Sequence, residues 1–301
     1  MPNRNTPRLC FIGFGEAGQA IAGGLRDAGI EAVAAWDILF PRPEGAALIG
    51  AGKAMGARIA SSAADAVKGA DVIVSAVTAA SSFEAAQSVE PHISGNPYYL
   101  DINSVSPGRK QQTETLLGAK VRYVDVAILA PIHPARHQTP VLLAGPHAET
   151  VMPLLFDELE MRGAVAGAET GAAAALKMVR SVMIKGIEAL TLECFLAARR
   201  AGIVDEVAAS LKNNYPTLDW TRVMNYNIER MASHGIRRAD EMDQVVDTLR
   251  ELGLDPLMAA ATSSRQREMG KIGKDPSVRA TLKDGGPEML DAIGKAFKDR
   301  H

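Results

Sequence analysis

The chain has 301 residues, 47% hydrophobic and 23% charged, with a formal net charge of −2 at pH 7. That length exceeds one typical core and implies two domains. The balanced charge argues against nucleic acid or anionic membrane as a general partner, and no apolar run approaches the ~18 residues that span a bilayer.

Met1–Arg8 is short, polar and proline-containing with no apolar core behind it, so it is not read as a signal peptide. Cys10 and Cys194 both lie in apolar patterns, which argues against a disulfide framework and for a reduced, cytoplasmic setting. His133 and His137 are surrounded by Pro131, Pro134 and Pro140, and no metal site is expected from them.

Arg8–Ile12 reads as a buried first strand. Gly13, Phe14, Gly15, Glu16, Ala17 and Gly18 follow in the pattern G-x-G-x-x-G, and Gln19–Ala28 has helical composition. Strand before and helix after are the context a dinucleotide fingerprint requires. Gly13 permits the tight turn, Gly15 lets backbone approach a pyrophosphate, and Gly18 allows close helix–strand packing. The helix N-terminus then offers N–H groups and partial positive charge to the phosphates.

Glu31–Trp36 makes a second strand ending in Asp37. A carboxylate there, roughly 20 residues after the last glycine, suits the adenosine ribose hydroxyls and repels a 2′-phosphate. This favours NAD, with NADP the alternative, since Arg42 is near enough in sequence to compensate a phosphate. An ordinary turn aspartate is the competing reading of Asp37.

Further apolar stretches recur at Ala57–Ala60, Val72–Val77, Tyr98–Ile102, Val121–Ile128 and Val141–Ala144, with helical segments such as Ala79–Val89 and Pro107–Leu117 between them. This alternation predicts an α/β, Rossmann-type, doubly wound and mostly parallel sheet. Ligands bind beyond the carboxyl ends of such strands, which singles out Val77, Thr78, Asn103 and Ser104. A helix cap is the structural alternative for Ser104.

Gly167 through Leu196, extending to about residue 198, is expected to form one long helix joining the halves. Ala172, Leu176, Val179, Met183, Ile187, Leu190 and Cys194 have the spacing of one buried face. Lys177, Ser181 and Lys185 share another line, flanked by Arg180 and Glu188. That line is either a solvated stripe or a lysine held in a cleft. Domain boundaries at 1–166 and 167–301 follow. Beyond Gly202 the spacing predicts an all-helical domain with helices at Val204–Leu211, Leu218–Met231, Arg238–Leu252 and Leu257–Met269, and an amphipathic tail helix after Gly285-Gly286-Pro287. Arg222, Tyr226, His234 and Arg238 receive no assigned role.

Together these residues resemble the β-hydroxyacid dehydrogenase superfamily, which includes 6-phosphogluconate, 3-hydroxyisobutyrate and tartronate semialdehyde enzymes. The fingerprint Gly13–Gly18, the segment Asp101-Ile-Asn-Ser104-Val-Ser-Pro107 (the superfamily's D-x-S-T-x-x-P) and Gly171-Ala-Ala-Ala-Ala-Leu-Lys177 (its G-x-G-x-x-x-K) carry the likeness. The C-terminal half looks closest to a branch with a poorly characterised helical domain. The resemblance implies Lys177 as the catalytic lysine and Ser104 as a hydroxyl near the nicotinamide. It also implies a homodimer formed through the helical domain.

Departures mark the substrate contacts. Leu129, Ala130 and Pro131 replace the glycines and serine of the superfamily's substrate loop, Ser181 replaces an asparagine, and Asp240 replaces a lysine, with Arg237 and Arg238 just before it. Arg180, Lys185 and Arg237 are therefore candidates for holding a substrate carboxylate, and Ser181 is a further candidate substrate residue. The expected activity is hydride transfer between a nicotinamide and a hydroxy acid, or its keto or aldehyde form, with lysine as general acid and base. A dinucleotide-binding sensor without turnover and an imine-reductase-like enzyme are the alternatives.

Overall fold

The computed structural model describes residues 7–298; Met1–Thr6, on which most of the N-terminal reading rests, lie outside them. By internal packing the chain divides into two units, Met1–Lys177 and Met178–His301.

The first unit holds a sheet of eight strands: β1 Leu9–Ile12, β2 Val33–Trp36, β3 Arg58–Ile59, β4 Val72–Ser75, β5 Tyr98–Asp101, β6 Arg122–Ile128, β7 Val141–Ala144 and β8 Gly163–Gly167. Its helices are α1 Glu16–Asp27, α2 Ala46–Ala54, α3 Ala63–Val67, α4 Ser82–Val89, α5 Pro107–Leu117 and α6 Ala148–Met152. The strand order is β3-β2-β1-β4-β5-β6-β7-β8, parallel throughout except for the β6–β7 pair. The α/β, doubly wound expectation is met.

Every residue of β1, β4 and β5 is buried, because a parallel strand covered on both faces has no solvent side. One face carries Phe11, Leu25, Leu100, Val126 and Leu155. The other carries Cys10, Ile73, Val67 and Leu117, with Tyr99 and Tyr123 stacked at 5.9 Å. Each such large side chain contributes about 1.5–3 kcal/mol by leaving water.

A long helix, α7 Ala172–Ala201, runs from the first unit into the second. Its 30 residues span about 45 Å. It starts at Ala172 rather than at Gly167, which ends β8. That edge strand, Gly-Ala-Val-Ala-Gly, is largely exposed and has no large side chain to signal a strand.

The face of α7 expected to be buried is instead exposed: Val179 is 48%, Met183 63% and Leu190 59% exposed. Ser181, Lys185, Glu188 and Thr191 are buried, alongside Met178, Leu192 and Phe195. Periodicity identifies a stripe but not what covers it, and here Lys185, Glu188 and Thr191 each meet a partner elsewhere in the second unit. These partners lie on α9 Trp220–Glu251 and α10 Leu257–Ile272, which stand among α8 Val204–Asn214, α11 Pro276–Thr281 and α12 Gly286–Lys298. Glu188 accepts from Arg238 and from Gln266 Nε2 at 2.7 Å, and Asn227 Nδ2 donates to Thr191 at 3.0 Å. A polar seam whose charged groups are paired, here Glu188 with Arg238 and Lys185 with Glu241, is tolerated in a core where unpaired charges are not.

The two helices expected at Leu218–Met231 and Arg238–Leu252 are one, α9. Gly235 is not a break. It faces α10, where a Cβ would stand 2.6 Å from the Gly270 nitrogen, so glycine permits two backbones to cross. The apolar core around them is Met224, Ile228, Met231, Met269, Met289 and Phe297. Among the described residues no helix is long and apolar enough to cross a membrane.

Candidate active site

In this strand order the sheet's switch point lies between β1 and β4, and sheets of this kind bind ligands in the crevice beyond the carboxyl ends there. The turn after β1 needs its glycines. Gly13 has φ +88°, and a Cβ there would meet Val77 Cγ1 at 2.6 Å. A Cβ on Gly18 would stand 2.6 Å from the Gly13 carbonyl oxygen. Around Gly15, by contrast, nothing lies within 4 Å of a Cβ position.

Gly15 is the N-cap of α1 and brings no side chain to its first turn. The open approach, the helix dipole and the unscreened N–H groups fit a phosphate group. Asp37 accepts the Phe14 N–H at 2.8 Å and the Leu39 N–H at 3.0 Å, one on each carboxylate oxygen. A carboxylate has about four acceptor sites, so capacity remains for ribose hydroxyls. Glu16 and Ala17 open α1 behind this turn, and Arg42 is exposed before a short 3₁₀ turn.

After β4, Val77 is half-buried and Thr78 exposed, the Thr78 hydroxyl donating to Ser81 at 3.2 Å. Asn103 is buried beneath them. Its Oδ1 accepts the Val77 N–H at 2.7 Å, and its Nδ2 donates to Ser75 Oγ at 2.9 Å and Asp101 Oδ1 at 2.8 Å. Asn103 thus shapes the crevice from below by tying the turn after β4 to the one after β5. The N-cap of α5 is Ser106, which accepts the Arg109 N–H at 3.3 Å. Ser104 does not cap that helix; it accepts a hydrogen bond from Lys177 Nζ at 2.6 Å.

Lys177 reaches Ser104 because α7 begins against the sheet. Gly171 turns the chain with φ +101°, beside Pro107, where a Cβ would stand 3.0 Å from the proline Cβ. The Gly171 and Ala174 N–H groups then donate to Asp125 Oδ2 at 3.2 and 3.0 Å. Neither Asp125 in this role nor Lys110 beneath it was picked out from sequence, since a lone acid within an apolar run carries no spacing signal.

At the end of β6, Leu129 is half-buried and packs on Ala127, Ala144 and Ala173, while Ala130 and Pro131 are exposed. In the second unit Lys185 is buried, donating to Ser181 Oγ at 3.2 Å and pairing with Glu241 at 3.0 Å. Arg237 lies 4.0 Å from the same carboxylate, and Arg180 is exposed. Glu241, which the sequence reading missed, is thus the hub of the basic groups; its signal was the i, i+4 spacing from Arg237. Arg238 is committed to buried Glu188, Tyr226 stacks beneath Arg230 at 5.8 Å, and Asp240 pairs with Arg267 at 2.9 Å.

Residues 8–104 match a family model described as NADP oxidoreductase, coenzyme F420-dependent. Residues 198–269 match a domain of unknown function, DUF1932. A conserved hypothetical protein from Sinorhizobium meliloti 1021 is 33% identical, with 97% of each chain covered and a TM-score of 0.77. The conserved protein MTH1747, whose structure is described as similar to 3-hydroxyacid dehydrogenases, is 29% identical over 88% of this chain and 97% of its own, with a TM-score of 0.69. The chain belongs to the β-hydroxyacid dehydrogenase-like family.

The fold of this family extends to Mycobacterium tuberculosis 3-hydroxyisobutyrate dehydrogenase, 14% identical over 96% of this chain and 99% of that one, with a TM-score of 0.71. An uncharacterized 28.5 kDa protein of Methanothermus fervidus is 27% identical over 170 residues. That match covers 55% of this chain and 63% of the relative's length.

Proposed function

We propose that this chain is an NAD(P)-dependent oxidoreductase that moves hydride between a nicotinamide and the CH–OH carbon of a hydroxy acid, or its keto or aldehyde form. The observation that carries this reading is the Lys177 Nζ–Ser104 Oγ hydrogen bond of 2.6 Å, made after β5 at the same carboxyl edge of the sheet that carries the Gly13–Gly18 turn after β1. Membership of the family supports it.

The turn at Gly13–Gly18 would hold the pyrophosphate and Asp37 the adenosine ribose, which favours NAD, with NADP the alternative through Arg42. When bound, the nicotinamide accepts or returns the hydride. The chain's own task is the proton. Lys177 as the amine takes it from the substrate hydroxyl during oxidation, and as the ammonium returns it during reduction. Ser104 Oγ, accepting from Nζ, limits where that nitrogen can point, and the capped start of α7 keeps its stem in place.

Leu129-Ala130-Pro131 replaces hydrogen-bonding groups by apolar bulk, and proline removes an N–H donor. The proposed substrate is therefore a carboxylate-bearing acid with an apolar body. The proposed assembly is a homodimer. Leu176, Val179, Met183, Ile187 and Leu190 form an exposed apolar stripe along α7 of the kind that marks protein interfaces.

A panel of 2- and 3-hydroxy acids with NAD and NADP, followed by the absorbance of the reduced nicotinamide, tests the reading. Turnover should rise from glycerate-like acids to longer or aromatic ones, by about 0.8 kcal/mol of binding per buried methylene. No oxidation of any member, with a dinucleotide demonstrably bound, would overturn it.

A further inference from the structure

Beneath the candidate site lies a lysine that the mechanism does not use. Lys110 on α5 is 1% exposed, and its ammonium stands between two buried carboxylates. Nζ donates to the Asp101 carbonyl at 2.5 Å and lies 3.1 Å from Asp101 Oδ1 and 3.4 Å from Asp125 Oδ1. A buried charge is expensive, and an apolar side chain of similar volume often serves stability as well or better. The ammonium's position points to what it does instead.

Each carboxylate has a second task. Asp101 Oδ1 accepts the Asn103 N–H at 3.0 Å and the Asn103 amide at 2.8 Å, which forms the turn leading into Ser104. Its Oδ2 accepts from the Tyr123 hydroxyl at 2.8 Å. Asp125 Oδ2 accepts the N–H groups of Gly171 and Ala174, which fixes the first turn of α7, one turn before Lys177. Asp125 Oδ1 is buried, accepts no hydrogen bond among the described residues, and faces the Lys110 ammonium. Both residues of the Lys177–Ser104 hydrogen bond therefore hang from carboxylates gathered by one cation.

We propose that Lys110 is a positioning residue: it holds Asp101 and Asp125 so that Ser104 and Lys177 meet. This rests on the oxidoreductase reading for its consequence in catalysis, but not for its geometry. Without the cation, the two buried carboxylates repel, and one takes up a proton or turns away. With the cation present, an asparagine at position 125 is divided. Its single oxygen can face the ammonium or cap α7, but its amide then occupies the other place.

The test is a double-mutant cycle read by amide hydrogen exchange at Gly171 and Ala174. Lys110→Met and Asp125→Asn should each speed exchange at these two amides by about tenfold or more, while Phe11 and Val74 in the sheet stay unchanged. The double variant should return both amides to within about threefold of wild type, because the asparagine oxygen is then free to cap the helix. A purely structural lysine would loosen sheet and helix amides together and would not be rescued. Unchanged exchange in the single variants, or no recovery in the double, overturns the proposal. If Lys110→Met alone does not fold, recovery of Asp125→Asn by the second substitution still decides it.

Exchange needs no substrate, so this outcome is separate from the fate of the oxidoreductase reading. Where turnover is measurable, each single variant should lower kcat and shift its pH profile with KM for the dinucleotide unchanged. The double variant should recover both.

Discussion

The imidazole of His137 fills the space that a side chain on Gly24 would need: a Cβ on this α1 glycine would overlap His137 Nδ1. Both ring nitrogens are buried without a hydrogen-bond partner among the described residues. Desolvation chiefly, and then the Arg136 guanidinium, hold its pKa below the ordinary value, against the opposing pull of Glu160 and Asp27.

A pH dependence of stability follows, and its sign is fixed. The unfolded histidine binds its proton near pH 6.5, the folded one only at lower pH. This contribution is thus fully present above about pH 6.5 and is lost as pH falls below it. Urea midpoints at pH 7.5 and 5.5 should drop more steeply for wild type than for His137→Leu. Parallel slopes would refute it.

Lys177→Ala should lower kcat by about 10² or more with dinucleotide affinity nearly unchanged, since proton transfer and not cofactor binding is removed. Steady-state kinetics together with a dinucleotide titration separate the two. Turnover within a few-fold of wild type would remove Lys177 from the mechanism.

Asp37→Ala should lower kcat/KM for NAD by about tenfold or more and narrow any preference over NADP, because the ribose loses its carboxylate. The Phe14 N–H also loses its acceptor. A wild-type enzyme that already prefers NADP would mean that Arg42 or another cation governs the site.

Gly235→Ala sets two effects against each other. Alanine gains about 1 kcal/mol of helix propensity, but its methyl would meet the backbone of Gly270, which has no rotamer with which to yield. Overpacking of this kind costs about 1–3 kcal/mol, so the loss should win and Tm should fall by several degrees. Gly294→Ala in α12, with nothing within 4 Å of its Cβ, is the control and should raise Tm. A rise in both would show that α9 and α10 separate easily.

The apolar stripe on α7 should be covered by a second copy. Leu190→Glu should convert a dimer to a monomer in light scattering at micromolar concentration, with the circular dichroism spectrum unchanged. A wild-type monomer under those conditions would sink the idea.

Much of the first unit could be read before the structure. Arg8–Gly18 combined an apolar strand, a patterned turn and a helix, and the same rhythm recurred through Val141–Ala144. What escaped had physical reasons. β8 contains only small residues, so neither hydrophobicity nor alternation marked it. The stretch holding Gly235 was left between two expected helices, because a glycine's local meaning gives no hint of the facing Gly270. The α7 stripe was seen but assigned to the wrong side, since burial of Lys185 and Glu188 depends on partners far along the chain. Of the candidate site, the glycines, Asp37 and Ser104 were singled out by pattern, and Lys177 by the family resemblance. Lys110 and Asp125 were not, because what makes them matter is a meeting of three elements that sequence leaves apart.

The two cysteines are unequal in a useful way. Cys10 is sealed in the sheet and burial pushes its thiol up to about 12, whereas Cys194 is exposed on the apolar side of α7. The native chain therefore behaves as a singly addressable thiol. A polarity-sensitive dye on Cys194 needs no engineered cysteine, and its emission would report in real time whether that stretch of helix is wet or covered.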